Sequence, residues 1–131
     1  AVLIKSAYPW VDELSDANSL AQMQLNNPDA SGEMRSPGRL CAGQTLLCKA
    51  LGLKVPVWDA KRFDANLLLV EDVGQTPPRI IQTTRLGIPP GRDEHLLYRF
   101  VDADYARFCT RNPLRRGQVE GRDYFFLDQG N

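Results

Sequence analysis

The sequence predicts an α+β fold with an antiparallel sheet, built as a single domain. Helical spacing of apolar residues is confined to the first 53 residues, whereas β-branched and turn-forming residues dominate the later ones. Because strands and helices do not alternate along the chain, the pattern favours an antiparallel sheet over a parallel βαβ arrangement. A chain of 131 residues with 43% apolar residues is long enough to enclose one hydrophobic core.

The first 32 residues are predicted to form a strand, a helix and a loop. Residues 1–6 are apolar up to a lysine, which is typical of a strand, and such a strand at the first position leads us to expect that a segment precedes it. Apolar residues then recur at helical spacing, which predicts a helix over residues 9–25, and a polar run over 26–32 predicts a loop. The helical positions are Leu14, Ala17, Ala21 and Leu25.

Residues 36–53 are the stretch around which the chain is organised. They begin as a turn and continue as a short amphipathic helix, with Leu47, Ala50 and Leu51 on its apolar face and Gly52 as its stop. A helix that starts at a glycine exposes unpaired backbone amides, which suit an anion such as a phosphate. An ordinary helix start that binds only water is the structural alternative.

The remaining elements are mostly strands. We predict an extended segment, three strands and one short helix or turn, at residues 55–59, 66–72, 79–86, 96–101 and 104–109. The strand at 96–101 is expected to lie antiparallel to its neighbour. Trp58 is expected to anchor the core or an edge, with base stacking as the alternative.

The last 21 residues form a basic, turn-rich tail. Arginines dominate the first part of this tail, and the apolar segment Tyr124–Leu127 follows. Such a segment ordinarily docks on its own domain, and the alternative is that it contacts a protein partner.

Charge and cysteine content exclude several classes of protein. Lysine plus arginine and aspartate plus glutamate number 16 each, which argues against strong non-specific nucleic-acid binding but leaves room for a local basic patch. Cys41, Cys48 and Cys109, with the single His95, fit no zinc spacing, so we expect reduced thiols and no metal. The sequence has no membrane-length apolar run and no signal peptide, so a cytoplasmic or nucleoid/nuclear location is expected, not secretion.

Three segments, in order, resemble motifs of the methylpurine-DNA glycosylase (alkyladenine glycosylase) family. The segments at residues 39–43 and 47–53 are similar to the family's Leu-Cys-x-Gly-Pro-x-Lys-Leu-x-x-Ala-Leu motif. Residues 2–6 resemble its Val-Leu-Leu-Arg-Ala strand. Residues 84–88, followed by 98–100, resemble its Arg-Val/Ile-Gly-Ile strand and later Arg-Phe.

The resemblance implies a fold and an activity. The family's fold is a curved, mostly antiparallel sheet flanked by short helices, and residues 1–131 would be the C-terminal part of such a domain. Family members flip an alkylated or deaminated purine out of double-stranded DNA and hydrolyse its glycosidic bond without a cofactor. The family's catalytic glutamate, its pocket tyrosine and histidine, and its tyrosine wedge lie upstream of the first matching strand, so this chain is expected to be inactive alone.

The resemblance also assigns site residues. Lys5 stands where the family has an arginine that positions the attacking water, although a lysine at a strand end also reaches solvent routinely. Leu86 stands where the family offers a backbone carbonyl to that water, and its side chain is expected in the core. Gly43, Gln44 and Thr45 are the expected DNA-binding positions.

The main departure from the family is Leu46, which replaces a phosphate-contacting lysine. Arg39 and Lys49 are candidates to compensate for that loss. None of the acids Glu13, Glu33 and Glu71 falls on a catalytic motif of the family, so each is expected to be a solvated surface residue.

Three alternatives follow. The chain is part of a base-excision-repair glycosylase, or a catalytically inactive module derived from one that acts as a structural or interaction subunit, or an unrelated small α+β domain.

Overall fold

The computed structural model describes residues 1–128, which group into two compact units. The first unit comprises residues 1–73 and 108–110, and the second comprises residues 74–107 and those that follow 110. The described residues contain short helices and a three-stranded antiparallel sheet, which confirms the α+β prediction. The last three residues of the predicted tail lie outside the described residues. The elements are α1 (Ser19–Asn26), α2 (Pro37–Leu40), α3 (Gln44–Ala50), α4 (Val55–Trp58), β1 (Arg79–Thr83), β2 (Arg99–Asp102), a 3₁₀ helix (Ala103–Phe108) and β3 (Tyr124–Asp128).

The core of the first unit lies where α1, α2 and α3 meet. Its buried residues are Leu40, Cys41 and Ala50, and three partly buried side chains pack against them: Leu20, Met23 and Leu47. The predicted helix over 9–25 begins only at Ser19, so Leu14 lies outside it and is almost fully exposed. The predicted apolar face of this helix, which began at Leu14, was therefore wrong. The side chains of this two-turn helix that pack against the core are Leu20 and Met23, which lie on another face and are only partly buried.

The end of α3 confirms the predicted stop. Gly52 has a φ of 68°, a left-handed conformation that glycine adopts without steric cost. Its amide donates to the Lys49 carbonyl at 3.1 Å, and the Leu53 amide donates to the Cys48 carbonyl at 2.8 Å. These two bonds form a Schellman motif, which satisfies carbonyls that the helix leaves unpaired.

The sheet belongs to the second unit and has the order β2-β1-β3, with both pairs antiparallel. Ile81 of β1 lies opposite Val101 on one side and Phe126 on the other, and it is fully buried. The β-branched run therefore forms a strand as predicted, although the strand ends at Thr83. Only the structure shows that it is the central one. The apolar segment near the C-terminus pairs with the same strand, which confirms that it docks on its own domain.

The opposite face of this sheet is apolar and exposed. Phe100 and Phe125 flank Gln82 from the two neighbouring strands, and Leu127 lies opposite Ile80. The exposed fractions of Phe100, Phe125 and Leu127 are 58%, 37% and 38%. Side chains of this size are more often buried, so the face is available for a contact.

Two predicted strands are wrong. In the described residues no strand includes residues 1–6, because a strand requires a hydrogen-bonded neighbour and this segment has none there. Val2 is accordingly 93% exposed. Residues 66–72 also form no strand. The Leu68 amide donates to the Asp64 carbonyl at 2.7 Å, and the Asn66 amide donates to the Asp64 carboxylate, so the chain reverses in an Asx turn.

The segment predicted as extended over 55–59 forms the one-turn helix α4 instead. Pro56 lies in its first turn, where no amide is needed for a helical hydrogen bond, so the proline starts the helix rather than preventing it. Trp58 is partly buried, with the Lys61 ammonium 4.8 Å from its ring centroid. The short helix predicted near 104–109 is the 3₁₀ helix. Among residues 1–128, no helix is both long and apolar enough to cross a membrane.

Candidate functional site

The structure brings together two of the predicted site segments, which lie 39 positions apart in the sequence. The Lys5 ammonium donates a hydrogen bond to Oε1 of Gln44 at 3.2 Å, and both side chains are exposed. The backbone holds the two segments together, because the Ala7 amide donates to the Cys41 carbonyl at 3.0 Å. An ammonium carries three donors, so Lys5 retains donors for a water molecule or an anion.

Gly43 immediately precedes α3 in an extended conformation, and no side chain caps the helix there. A β-carbon at this position would lie 2.6 Å from Oγ1 of Thr110, which leaves no room for a larger residue. Thr110 is itself held in place, since its amide and its hydroxyl both donate to the Ala42 carbonyl. The close approach of Thr110 therefore explains the glycine. The exposed Gln44 and Thr45 then present their polar side chains to solvent.

The position at which the resemblance predicts a phosphate-contacting lysine is occupied by a partly buried side chain. Leu46 lies in the first turn of α3, and its carbonyl accepts a hydrogen bond from the Asn27 amide at 3.2 Å. The nearby cations are Arg39 on α2 and Lys49 on α3, and both are exposed. Among residues 1–128, neither forms an ion pair. The first unit thus keeps positive charge near α3 although the lysine is absent.

Leu86 belongs to the second unit, and its side chain departs from the prediction. The residue is 40% exposed rather than in the core. It follows the end of β1, and Gly87, with a φ of 70°, turns the chain immediately afterwards. Within the described residues, the Leu86 carbonyl accepts no hydrogen bond. It is therefore free to accept one from a water molecule.

A cavity of about 500 Å³, open to solvent, adjoins this turn, and no sequence pattern predicted it. The Arg85 guanidinium lies 5.8 Å from the ring centroid of Tyr98, next to the cavity. Arg85 follows the end of β1, and only the structure brings it beside residues 88–93 at this cavity. The lining residues are Arg85, Ile88, Pro89, Gly91, Arg92 and Asp93.

The exposure of the three acids agrees with the prediction. Glu13, Glu33 and Glu71 are all exposed, as expected for surface residues. The three cysteines are free thiols, and burial raises the pKa of Cys41, which makes it a poor nucleophile. Among residues 1–128, no three histidine, cysteine, aspartate or glutamate side chains come together as metal ligands would.

The chain belongs to the methylpurine-DNA glycosylase family, since the family model described as "Methylpurine-DNA glycosylase (MPG)" matches residues 1–106. Curated relatives extend the similarity over the whole chain. A "Putative 3-methyladenine DNA glycosylase" of Pseudomonas syringae pv. tomato is 86% identical over 131 residues, which is 100% of this chain and 59% of the relative. Proteins of the same name from Pseudomonas fluorescens and Pseudomonas aeruginosa are 79% and 68% identical over 127 residues, which is 97% of this chain and 55% and 53% of the relatives.

The chain thus spans 53–59% of the length of the curated relatives that it matches. None of the solved structures matches the chain significantly.

Proposed function

We propose that this chain is part of a DNA N-glycosylase that flips alkylated or deaminated purines out of the duplex and hydrolyses their glycosidic bond. The observation that carries the proposal is the hydrogen bond between Lys5 and Gln44, because it joins the expected water-positioning residue to the expected DNA-binding segment. The catalytic glutamate and the base pocket would lie in the part of the relatives that residues 1–131 do not span. The enzyme would be a monofunctional hydrolase that needs no cofactor.

Each site residue has a distinct role in this proposal. A lysine ammonium donates hydrogen bonds and accepts none, so Lys5 orients the attacking water and leaves the proton to the glutamate. The Leu86 carbonyl, in the second unit, accepts a hydrogen bond from water. Gly43, Gln44 and Thr45 contact the DNA backbone through amides and polar side chains. Because the substrate is damaged double-stranded DNA, the protein would act at the chromosome.

The domain organisation is proposed on the same basis. Residues 1–131 form the C-terminal part of the glycosylase domain, and residues 111–131 form its basic tail. Family membership supports the first statement, since the family model covers both compact units in part.

A second candidate function is a catalytically inactive module that serves as a structural or interaction subunit. The exposed apolar face of the sheet favours it, because Phe100, Phe125 and Leu127 would be buried by another polypeptide. The tail segment Tyr124–Leu127 would then contact that partner through its outward-facing side chains.

The decisive experiment compares residues 1–131 with a restored protein, in which the segment that the chain does not span is taken from the Pseudomonas syringae relative. Release of 3-methyladenine or hypoxanthine is measured on a duplex that carries one lesion. We expect the restored protein to release the base and residues 1–131 alone to release none. In the restored protein, Lys5→Ala should slow the single-turnover rate by about 10²-fold, the typical cost of a lost donor at a reacting centre.

Two variants serve as controls. Lys54→Ala removes an exposed lysine from the same unit and should leave the rate unchanged, as should Leu86→Val, because Leu86 acts through its carbonyl. A restored protein without activity would support the inactive module. Multiple turnovers by residues 1–131 alone, abolished by changing Glu13, Glu33 or Glu71, would show that the chemistry has been assigned to the wrong place.

A further inference from the structure

We propose that the arginine-rich segment 111–122, here called the basic loop, is a second surface that contacts the phosphate backbone of duplex DNA. The proposal rests on the proposed function for the identity of the polyanion. The basic loop lies beyond residue 106, where the match to the family model ends, so the family does not assign it. The relatives nevertheless span it, and the two from Pseudomonas syringae match the chain over all 131 residues.

The basic loop carries a local excess of positive charge in a chain that is neutral overall. It contains four arginines and one acid, Glu120, within twelve residues, whereas the whole chain has 16 basic and 16 acidic residues. One arginine is neutralised, since the Arg122 guanidinium donates to the Asp123 carboxylate at 2.8 Å and 3.1 Å. That bond lowers the pKa of Asp123 and keeps the carboxylate ionised.

Two of the remaining arginines are free to bind an anion. Arg111 and Arg116 are exposed, and within residues 1–128 their guanidinium groups form no hydrogen bond or ion pair. Arg115 is partly buried, and its Nη1 donates to the Asn112 carbonyl at 3.1 Å, so it serves the loop itself. The basic loop therefore presents two uncompensated guanidinium groups five positions apart.

The backbone of the basic loop is held in one conformation. Arg99 of β2 donates from Nη1 and Nη2 to the Arg111 carbonyl, each at 3.3 Å, and Arg111 adopts a φ of 55° that non-glycine residues rarely tolerate. The Leu114 amide donates to the Asn112 side chain at 2.8 Å, which forms an Asx turn. A backbone fixed in this way presents its arginines without a large ordering cost on binding.

The composition of the loop favours duplex DNA over single strands. Guanidinium groups bind phosphate oxygens in a planar, two-bond geometry and need no base sequence. Proteins that bind single strands add aromatic side chains on which bases stack, and residues 111–122 contain no aromatic residue. The basic loop is thus suited to the outside of a duplex, where only phosphates are within reach.

The test measures the salt dependence of binding in the restored protein. Affinity for an undamaged duplex is measured by fluorescence anisotropy between 50 and 200 mM salt, for the parent and for Arg111→Gln/Arg116→Gln. Each phosphate contact contributes about 0.9 to the magnitude of the log-log slope, so the double variant should lose roughly 1.8 and Arg116→Gln alone about 0.9. The matched control Lys54→Gln/Arg62→Gln removes two exposed cations from the first unit and should keep the parent slope.

The outcomes separate this inference from the proposed function. An unchanged slope in the double variant, or an equal loss of slope in the control, would overturn the role of the basic loop. A loss of slope that is seen only with single-stranded DNA would also overturn it. Base release under saturating protein should be normal in the double variant, because the loop only binds. A reduced slope in the double variant of a restored protein that releases no base would support the basic loop and refute the glycosylase. Normal base release with an unchanged slope in the double variant would support the glycosylase and refute the basic loop.

Discussion

Replacing Asn27 by aspartate tests how the helices beneath the candidate site are held together. Asn27 is 1% exposed, and its amide nitrogen donates to the Leu40 carbonyl at 2.9 Å and to the Leu46 carbonyl at 3.2 Å. It thereby joins the end of α2 to the first turn of α3, the helix that carries Gln44. Aspartate has almost the same shape, but its carboxylate has no proton to donate.

The magnitude follows from these contacts. Two hydrogen bonds are lost, at about 1 kcal/mol each, and a buried charge faces two carbonyl oxygens, so Asn27→Asp should lower the free energy of unfolding by roughly 3–5 kcal/mol at neutral pH. The unfavourable site raises the pKa of the introduced carboxyl in the folded state. A raised folded-state pKa means that the variant is relatively more stable below about pH 3.9, the unfolded value, and loses stability as the pH rises through the folded value. The deficit should therefore shrink between pH 7 and pH 4, by about 1.4 kcal/mol for each unit of raised pKa.

Urea unfolding of the restored protein, followed by tryptophan fluorescence at pH 4 and pH 7, measures both effects. Asn26→Asp is the matched control, because Asn26 is the adjacent residue and donates to the Ala50 carbonyl at 3.0 Å, but it is exposed. Its introduced carboxylate stays in water, so it should cost about 1 kcal/mol, with little dependence on pH. Equal losses for the two variants at pH 7, or a deficit at position 27 that does not shrink in acid, would refute the reasoning.

Three further predictions concern local contacts. Gly38→Ala should lower stability by about 1–3 kcal/mol, measured by thermal melting, because an added β-carbon would lie 2.5 Å from the ring of Phe108, and an unchanged melting temperature would show that the ring moves freely. Asp123→Asn should remove the stabilisation that the Asp123 carboxylate gains from its bond to Arg122. This stabilisation is present above 3.8, the ordinary pKa of the carboxyl, and is lost as the pH falls through its lowered folded-state pKa. The stabilities of parent and variant should therefore converge in acid unfolding titrations. Cys41 should react with a thiol reagent more slowly than Cys48, as mass spectrometry of the labelled protein would reveal, and faster labelling at Cys41 would contradict its burial.

The sequence predicted those parts of the fold that depend on neighbouring residues. The helix α3 and its glycine stop were recognisable because capping uses contacts within one turn, as Gly52 shows. The central strand was recognisable from its β-branched residues. The strand predicted over 66–72 failed because apolar residues alone do not supply a pairing partner, and Asp64 reverses the chain there instead.

For the candidate site, the sequence determined the types of residue and the family to which they belong. The ordered motifs identified Lys5 and the positions at the start of α3, and the family match confirms the resemblance on which they rest. Only the tertiary structure decided that the Lys5 ammonium bonds to Gln44 across 39 residues, and that the Arg99 side chain fixes the basic loop through the Arg111 carbonyl. Spacing along the chain encodes contacts within a turn or between adjacent strands. A contact between distant segments depends instead on how the whole backbone packs, which no local pattern specifies.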